Sequence, residues 1–116
     1  MAVYADLADC SDAAIEVEES NLEYADVQVI AALFGIGIDP TTITLPNHLL
    51  TSLAVAEASA QAALLQSSGD GPLMAKHTAW AASAKVLRAR LSRAALGVAN
   101  ISAAAGGISS ISVDRA

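Results

Sequence analysis

The clearest pattern of apolar positions lies in the second half of the chain. Six mostly apolar side chains recur there at alternating steps of four and three residues: Leu73, His77, Trp80, Ala84, Leu87 and Leu91. This spacing places all six on one side of an α-helix. We predict that helix from Pro72 to about Val98, with Asp70 as its cap. Apart from the small Ala84, these positions are assigned to the protein core.

A second apolar segment precedes this helix. The chain from about Leu45 to Gln66 carries Glu57 as its only charge, and Thr44 can cap it. A helix that is apolar on nearly every side is expected to be buried, and we assign Leu53 on it to the core. One small domain offers little surface to cover such a helix, so neighbouring chains are expected around it.

Two stretches rich in turn residues separate the predicted helices. The stretch "SSGDGP" connects the two long helices and is short, which predicts an antiparallel helical hairpin. The earlier linker, "GIGIDPTTITLP", ends in Pro46. Proline is favoured in the first turn of a helix, so we place Pro46 in the first turn of the apolar helix.

A shorter helix is predicted before this linker. Ser20 and Glu23 match the pattern of a capping box. The helix then runs from Asn21 to Phe34, and Gly35 is expected to terminate it. Four of its side chains are expected to face inward: Val27, Ile30, Ala31 and Phe34. Of these four, Phe34 is assigned to the protein core.

The first twenty residues allow two interpretations. Apolar side chains recur there at steps of four and three, as on one side of a helix: Val3, Leu7, Cys10, Ala14 and Val17. The segment "AIEVE" within the same region alternates apolar and acidic residues, as a strand does. The pattern leaves helix and strand open for this region.

The last part of the chain has a different character. No charged residue occurs from Ala94 to Val113, and the pair Gly106-Gly107 imposes no conformation on the backbone. The segment Ile108–Val113 has the composition of a β-strand, but the helical hairpin offers no strand with which it could pair. Three apolar side chains of this segment are expected to contact another chain: Ile108, Ile111 and Val113.

These elements predict an all-α fold. Residues 1–100 are expected to form a helical hairpin or bundle of three to four helices, and residues 101–116 a strand-like extended arm. The chain has 116 residues, of which 54% are apolar, and alanine is frequent among them. An alanine-rich core buries little area per residue, and at about 25 cal/mol per Å² such a core is marginal alone. This composition favours oligomerisation.

The charges are distributed unevenly along the chain. Every charged side chain up to Asp70 is acidic, whereas all but Asp114 are basic from Lys76 onward, and the net charge is −6. Two interpretations remain open: one subunit's acidic end meets its neighbour's basic end, or the charges complement helix dipoles. The acidic balance disfavours nonspecific binding to nucleic acid. The basic residues that we assign to a subunit interface are Arg88, Arg90 and Arg93, although such a cluster is more typical of a solvated helix end.

The sequence shows no constellation of catalytic or ligand-binding residues. Cys10 is the single cysteine, and His48 and His77 are the only histidines. His77 lies on the apolar side of its helix, which is typical of a histidine in the core. We therefore predict no enzymatic activity, no metal and no cofactor. The apolar run "VQVIAALFGIGI" is too short to span a bilayer, so no membrane contact is expected.

The order of elements resembles the small head–tail connector, or adaptor, proteins of tailed bacteriophages. The resemblance covers roughly Leu22 to the end of the chain. It rests on "ADVQVIAALFGI", the linker ending in Pro46, "HLLTSLAVAEASAQAAL", "KVLRARL" and the ending "GGISSISV". It implies a structural subunit that forms a ring of about twelve copies, a closed cyclic assembly. Such a ring joins the portal protein to the next neck or tail protein; the subunit is made in the host cytoplasm and resides in the virion neck.

Two other classes of function remain open from the sequence. One is a secreted helical-hairpin partner of specialised secretion systems, although the turn "SSGDGP" lacks the Trp-x-Gly of those proteins. The other is a cytoplasmic, chaperone-like binding module that uses its apolar second helix to fill a groove. Molecular size at high dilution distinguishes them, because a secretion partner forms a stable pair, whereas a ring subunit is expected as a monomer until it assembles on its portal.

Overall fold

A computed structural model describes residues 2–67 and 71–98 of the chain. Within these residues the fold is all-α, as predicted, with the helices α1 (Glu19–Gly35), α2 (His48–Gln66), α3 (Gly71–Ala89) and α4 (Arg93–Leu96). Two 3-10 turns, at Leu7–Asp9 and Pro40–Thr42, lie in the connections. The predicted cap Asp70 and the predicted arm, with Ile108, Ile111 and Val113, lie outside the described residues.

Helix α2 lies at the centre of the fold, between α1 and α3. Every residue from Leu53 to Ala60 is buried, and Leu50 and Leu53 are fully enclosed. Half of this run is alanine, whose small side chains let the neighbouring helices approach closely. Helices α1 and α3 of the same chain therefore cover the middle of α2, whereas Leu64 and Leu65 at its end are exposed. The expected contacts with neighbouring chains stay a prediction.

Helix α2 begins three residues later than its predicted start at Leu45. Asn47 caps it, since its Oδ1 accepts a hydrogen bond of 3.2 Å from the backbone N–H of Leu50. Thr44 lies outside the helix. Pro46 also precedes the helix and follows a cis peptide bond, so its predicted place in the first turn is wrong. A side-chain acceptor at Asn47 satisfies the first-turn N–H groups and fixes where the helix starts.

Helix α1 buries the side opposite to the predicted one. Leu22, Ala25, Val29 and Leu33 are fully enclosed, whereas Phe34 is 64% exposed. The core assignment of Phe34 and the predicted inward positions of Val27 and Ala31 are therefore wrong, whereas Ile30 packs against the core as predicted. Both sides of α1 carry apolar residues at helical spacing, so periodicity alone does not select one. The helix also begins at Glu19 rather than Asn21.

The buried side of α1 holds a carboxylate that anchors the beginning of the chain. Asp26 is buried and accepts hydrogen bonds from the backbone N–H groups of Val3 (2.9 Å) and Tyr4 (3.3 Å). The carbonyl of Tyr4 in turn accepts a bond of 2.9 Å from the Thr51 hydroxyl of α2. These hydrogen bonds hold the first residues of the chain against α1 and α2. Apart from the turn at Leu7–Asp9 they form no regular element, so neither the helical nor the strand interpretation holds.

Helix α1 is terminated by Gly37 rather than by the predicted Gly35. Gly37 has φ +77°, and its N–H bonds to the carbonyl of Phe34, while the N–H of Ile38 bonds to that of Leu33. These two bonds satisfy carbonyls that the end of a helix leaves unpaired. Gly35 is the last residue of α1 itself.

Replacing Gly37 with alanine is expected to lower the free energy of unfolding by about 1 kcal/mol, because a Cβ disfavours the left-handed region. Gly35→Ala is the matched control. No neighbouring atom lies within 4 Å of a Cβ added there, so that variant should be neutral or stabilising, as alanine is favoured in helices. Urea denaturation of both variants checks this, and equal effects would contradict the assignment.

Helix α3 ends at Ala89 instead of continuing to Val98. The chain turns there, and the hydroxyl of Ser92 accepts a bond of 3.1 Å from the N–H of Ala95 to begin α4. Leu91 and Leu96 are both buried. In one continuous helix these two leucines would point about 140° apart, so the break lets both enter the core.

The apolar stripe of α3 faces α2 along most of its length. Ala84 and Leu91 are buried, while four positions assigned to the core are half-buried at the edge of the contact: Leu73, His77, Trp80 and Leu87. Trp80 touches both apolar clusters of the fold, the main one around Leu53 and a smaller one formed by Ile15, Ala62 and Ala63. The indole therefore connects α3, α2 and the N-terminal segment.

Candidate protein-binding surface

The three arginines assigned to a subunit interface do not form one surface. Arg88 pairs with Glu57 of α2. Arg93 lies at the start of α4, and its guanidinium donates a bond of 3.0 Å to the carbonyl of Gly37. Arg90 follows α3 and is exposed. Arg88 and Arg93 thus bind groups of their own chain, and the assignment of Arg88, Arg90 and Arg93 to a subunit interface stays a prediction.

The pair Arg88–Glu57 is the most enclosed ionic contact described. The Glu57 side chain is 11% exposed, and that of Arg88 42%. Glu57 lies on the central helix among buried alanines, so its carboxylate has little water around it. Burying a carboxylate without a paired cation and hydrogen-bond donors is costly, and Arg88 supplies both.

A second ionic contact holds the N-terminal segment against α3. The carboxylate of Asp12 accepts bonds from Lys76 Nζ (2.9 Å) and from the indole Nε1 of Trp80 (3.1 Å). These bonds, that of Lys76 first, lower the pKa of the Asp12 carboxyl below its usual value. Acidic residues of the first half thus pair with basic residues of the second half inside one chain. This intrachain pairing accounts for part of the uneven charge distribution.

The Asp12 contact predicts a pH dependence of stability. Its pKa is lower in the folded chain, so ionised Asp12 stabilises the fold above its unfolded pKa of about 3.9 and ceases to do so as the pH falls through the folded value. Asp12→Asn should therefore unfold more readily than the wild type at pH 7, and the difference should shrink below about pH 4.

Denaturant unfolding at several pH values measures this difference, and Lys76→Met provides the control. In the Lys76→Met background the Asp12 substitution should have a smaller effect, as a double-mutant cycle detects. A difference between Asp12→Asn and wild type that stays constant from pH 7 to pH 3 would contradict the assigned role.

Both histidines have defined places. His77 Nδ1 lies 2.8 Å from the carbonyl oxygen of Ala60 on α2. A carbonyl only accepts, so Nδ1 carries a proton and donates it. His77 thus ties α3 to α2. His48 is exposed at the start of α2.

A groove of about 450 Å³ lies between α2 and α3 beside the N-terminal segment. Its walls combine apolar, hydroxyl and titratable side chains: Asp9, His48, Thr51, Ser52, Val55, Ala56, Trp80, Ser83 and Leu87. No hydrogen bond joins His48 to a carboxylate or hydroxyl here, within the part of the chain that the structure describes. Across the same residues, no three His, Cys, Asp or Glu side chains are grouped to hold a metal ion.

Cys10 lies near this region and is partly buried. Its burial, and then the charges of Asp9 and Asp6, raise the pKa of the thiol. The thiolate is the reactive form of cysteine, so Cys10 is held in its unreactive form at neutral pH.

The surface that stands out is the outer side of α1. Tyr24, Val27, Ala31 and Phe34, which we call the α1 stripe, follow one another at steps of three, four and three residues and are all exposed. They lie within an arc of about 80° on the helix. No charged residue occurs from Val27 to Ile38, and Ile36, beyond the helix, is exposed as well. Contiguous exposed apolar residues of this kind mark interaction sites.

The sequence shows that the residues of the α1 stripe share one side of a helix, but it does not show whether that side faces the core or the solvent. Three of its four members were predicted to face inward, because their spacing is helical and they are apolar. The structure turns them outward, since the opposite side of α1 is the one enclosed by α2 and the N-terminal segment. The interface residues predicted in the arm lie outside the described residues, so the structure does not place them.

Comparisons with protein-family models, with curated proteins and with solved structures find no match to this chain. Among the described residues, no helix combines the length and the apolar character needed to cross a membrane.

Proposed function

We propose that the chain is a structural subunit of a ring at the head–tail junction of a tailed bacteriophage. In this role copies of the chain join the portal protein to the next neck or tail protein, and the chain performs no catalysis. It is made in the host cytoplasm and resides in the virion neck. The proposal rests on the sequence resemblance and on one structural observation, the exposed α1 stripe.

The α1 stripe supports a role in assembly because its apolar side chains face water in the single chain. Phe34 and Val27 are more than 60% exposed, and burying such side chains gains about 25 cal/mol per Å² of apolar surface. A ring built by rotation uses heterologous contacts, in which two different surfaces of each subunit meet. The α1 stripe supplies one such surface.

The chaperone-like alternative has less support. That function requires the apolar α2 to fill a groove in a partner, but α2 is enclosed by α1 and α3 of its own chain. A helical-hairpin binding protein would instead bind its partner through an exposed side of a helix. It would form a stable one-to-one complex with that partner. The two functions therefore differ in stoichiometry and in location.

Counting and locating the chain in purified phage particles tests the proposal. Quantitative mass spectrometry should find about a dozen copies per particle, as expected for a closed ring. Antibody labelling should place them where head and tail meet. Absence from particles, a one-to-one complex with a single partner, or labelling elsewhere on the particle would contradict the proposal.

Variants of α1 test the contribution of the stripe. Phe34→Glu should reduce incorporation into particles at least tenfold, since a buried unpaired carboxylate opposes the contact. Val86→Glu is the matched control, because Val86 is also an exposed apolar residue, 52% accessible, but lies on α3. Normal incorporation of Phe34→Glu would show that the stripe does not contribute to the assembly.

A further inference from the structure

We propose that residues 108–113 of one copy dock on the α1 stripe of the next copy. This inference rests on the proposed ring, because it identifies the two surfaces that meet between its subunits. The occupant of the α1 stripe is thus a segment of a second copy of this chain.

The described chain ends beside the α1 stripe. The N–H of Val98 bonds to the carbonyl of Arg93, and the guanidinium of Arg93 bonds to the carbonyl of Gly37. Gly37 in turn bonds to Phe34, the last member of the stripe. Residues that follow Val98 therefore start at the Phe34 end of α1.

The docking segment matches the α1 stripe in length and in polarity. From Tyr24 to Phe34 the stripe is about 15 Å long, and six extended residues span about 20 Å. In an extended chain Ile111 and Val113 point to the same side. Neither the segment nor the stripe carries a charge, so their contact buries apolar side chains without desolvating ionic groups.

The length of the connection favours the stripe of another copy. Nine residues separate Val98 from Ile108, and in extended form they reach about 30 Å. That is twice the length of the stripe, at whose end they already start. Every point of the stripe on the same copy lies within about 15 Å of this start, so docking there would use half of the available reach or less. Docking on a neighbour uses the available reach directly.

The mode of binding also differs from the one that the sequence favours. A strand-like segment is expected to pair with the edge of a sheet, but no strand occurs among residues 2–67 and 71–98. On α1 the segment would instead bind through its side chains. Phe34 and Val27, the most exposed members of the stripe, are the expected anchors.

A labelled synthetic peptide of residues 101–116 tests the contact by fluorescence anisotropy, with full-length chains diluted until sedimentation shows monomers. The peptide should bind the wild type and the tail variant Ile111→Asp/Val113→Asp with similar affinity. It should bind the stripe variant Val27→Glu/Phe34→Glu at least tenfold more weakly. Val86→Glu, the exposed control on α3, should bind like the wild type.

Three outcomes overturn the inference. The first is equal binding to the wild type and the stripe variant. The second is no binding to the wild type or the tail variant at the highest concentration at which sedimentation still shows monomers. The third is binding to the tail variant alone, which would mean that each copy covers its own stripe. Failure of this test with normal presence in phage necks overturns the docking contact only. A positive peptide result without the chain in particles overturns the proposed function only.

Discussion

Replacing Trp80 with alanine is expected to lower the free energy of unfolding by about 3 kcal/mol, the lower end of the range for removing a core aromatic side chain, because the indole is only partly buried. The indole touches both apolar clusters and donates a hydrogen bond to Asp12. Its removal leaves a gap between α2, α3 and the N-terminal segment and leaves that carboxylate with one donor fewer. A domain of this size has a total stability of about 5–15 kcal/mol, so the variant should lose a substantial part of its stability.

Two variants separate the components of this effect, and urea denaturation measures all three. Trp80→Phe keeps most of the packing and loses the hydrogen bond, so it should cost about 1 kcal/mol. Phe34→Ala removes an aromatic ring that is exposed, and its effect should stay within about 0.5 kcal/mol. If Phe34→Ala destabilised the chain as much as Trp80→Ala, the described orientation of α1 would be wrong.

Reversing the charge of Arg88 is expected to have the second largest effect. Arg88→Glu removes the partner of an enclosed carboxylate and places a second negative charge beside Glu57. Breaking a buried ion pair in this way costs about 3–5 kcal/mol. Because the Arg88 side chain is partly exposed and water screens it, we expect about 2–3 kcal/mol, below that range. The midpoint of denaturant unfolding measures the loss.

The exchanged pair provides the control for this prediction. Combining Arg88→Glu with Glu57→Arg restores opposite charges and should recover part of the lost stability, whereas Arg90→Glu alone should change it by less than about 0.5 kcal/mol. Wild-type stability of Arg88→Glu would show that the ion pair does not support the fold. The prediction also means that a loss of assembly in this variant would not identify an interface.

The buried side of α3 and the burial of α2 could be predicted because the sequence distinguishes apolar from charged positions clearly in both helices. Leu87 of α3 and Leu91 just beyond it alternate with charged neighbours, so only one side of this segment can face the core. Helix α2 has a single charge, and nearly all of its sides had to be buried. On α1 the residues around Val29 and those around Phe34 are equally apolar, so the sequence offered no basis for choosing between the two sides.

The contacts that determine which side of α1 is buried join residues that lie far apart in the chain. Asp26 binds the N–H of Tyr4 and so draws the N-terminal segment onto one side of α1, and Asp12 binds Trp80. Hydrogen bonds of this range leave no periodic signal. The end of α3 did leave a local signal, since Ser92 is a favoured capping residue, but the continuing apolar pattern favoured a single long helix.

The most direct measurement of the central claim, that the α1 stripe is the contact between copies in a phage neck, is a photo-cross-link inside assembled particles. A benzophenone side chain replaces Phe34, and particles assembled from a mixture of isotopically light and heavy chains are irradiated and analysed by mass spectrometry. Cross-links are expected between position 34 of one copy and residues 108–113 of another, including mixed light–heavy pairs. Cross-links confined to single copies, or reaching only other proteins, would contradict it.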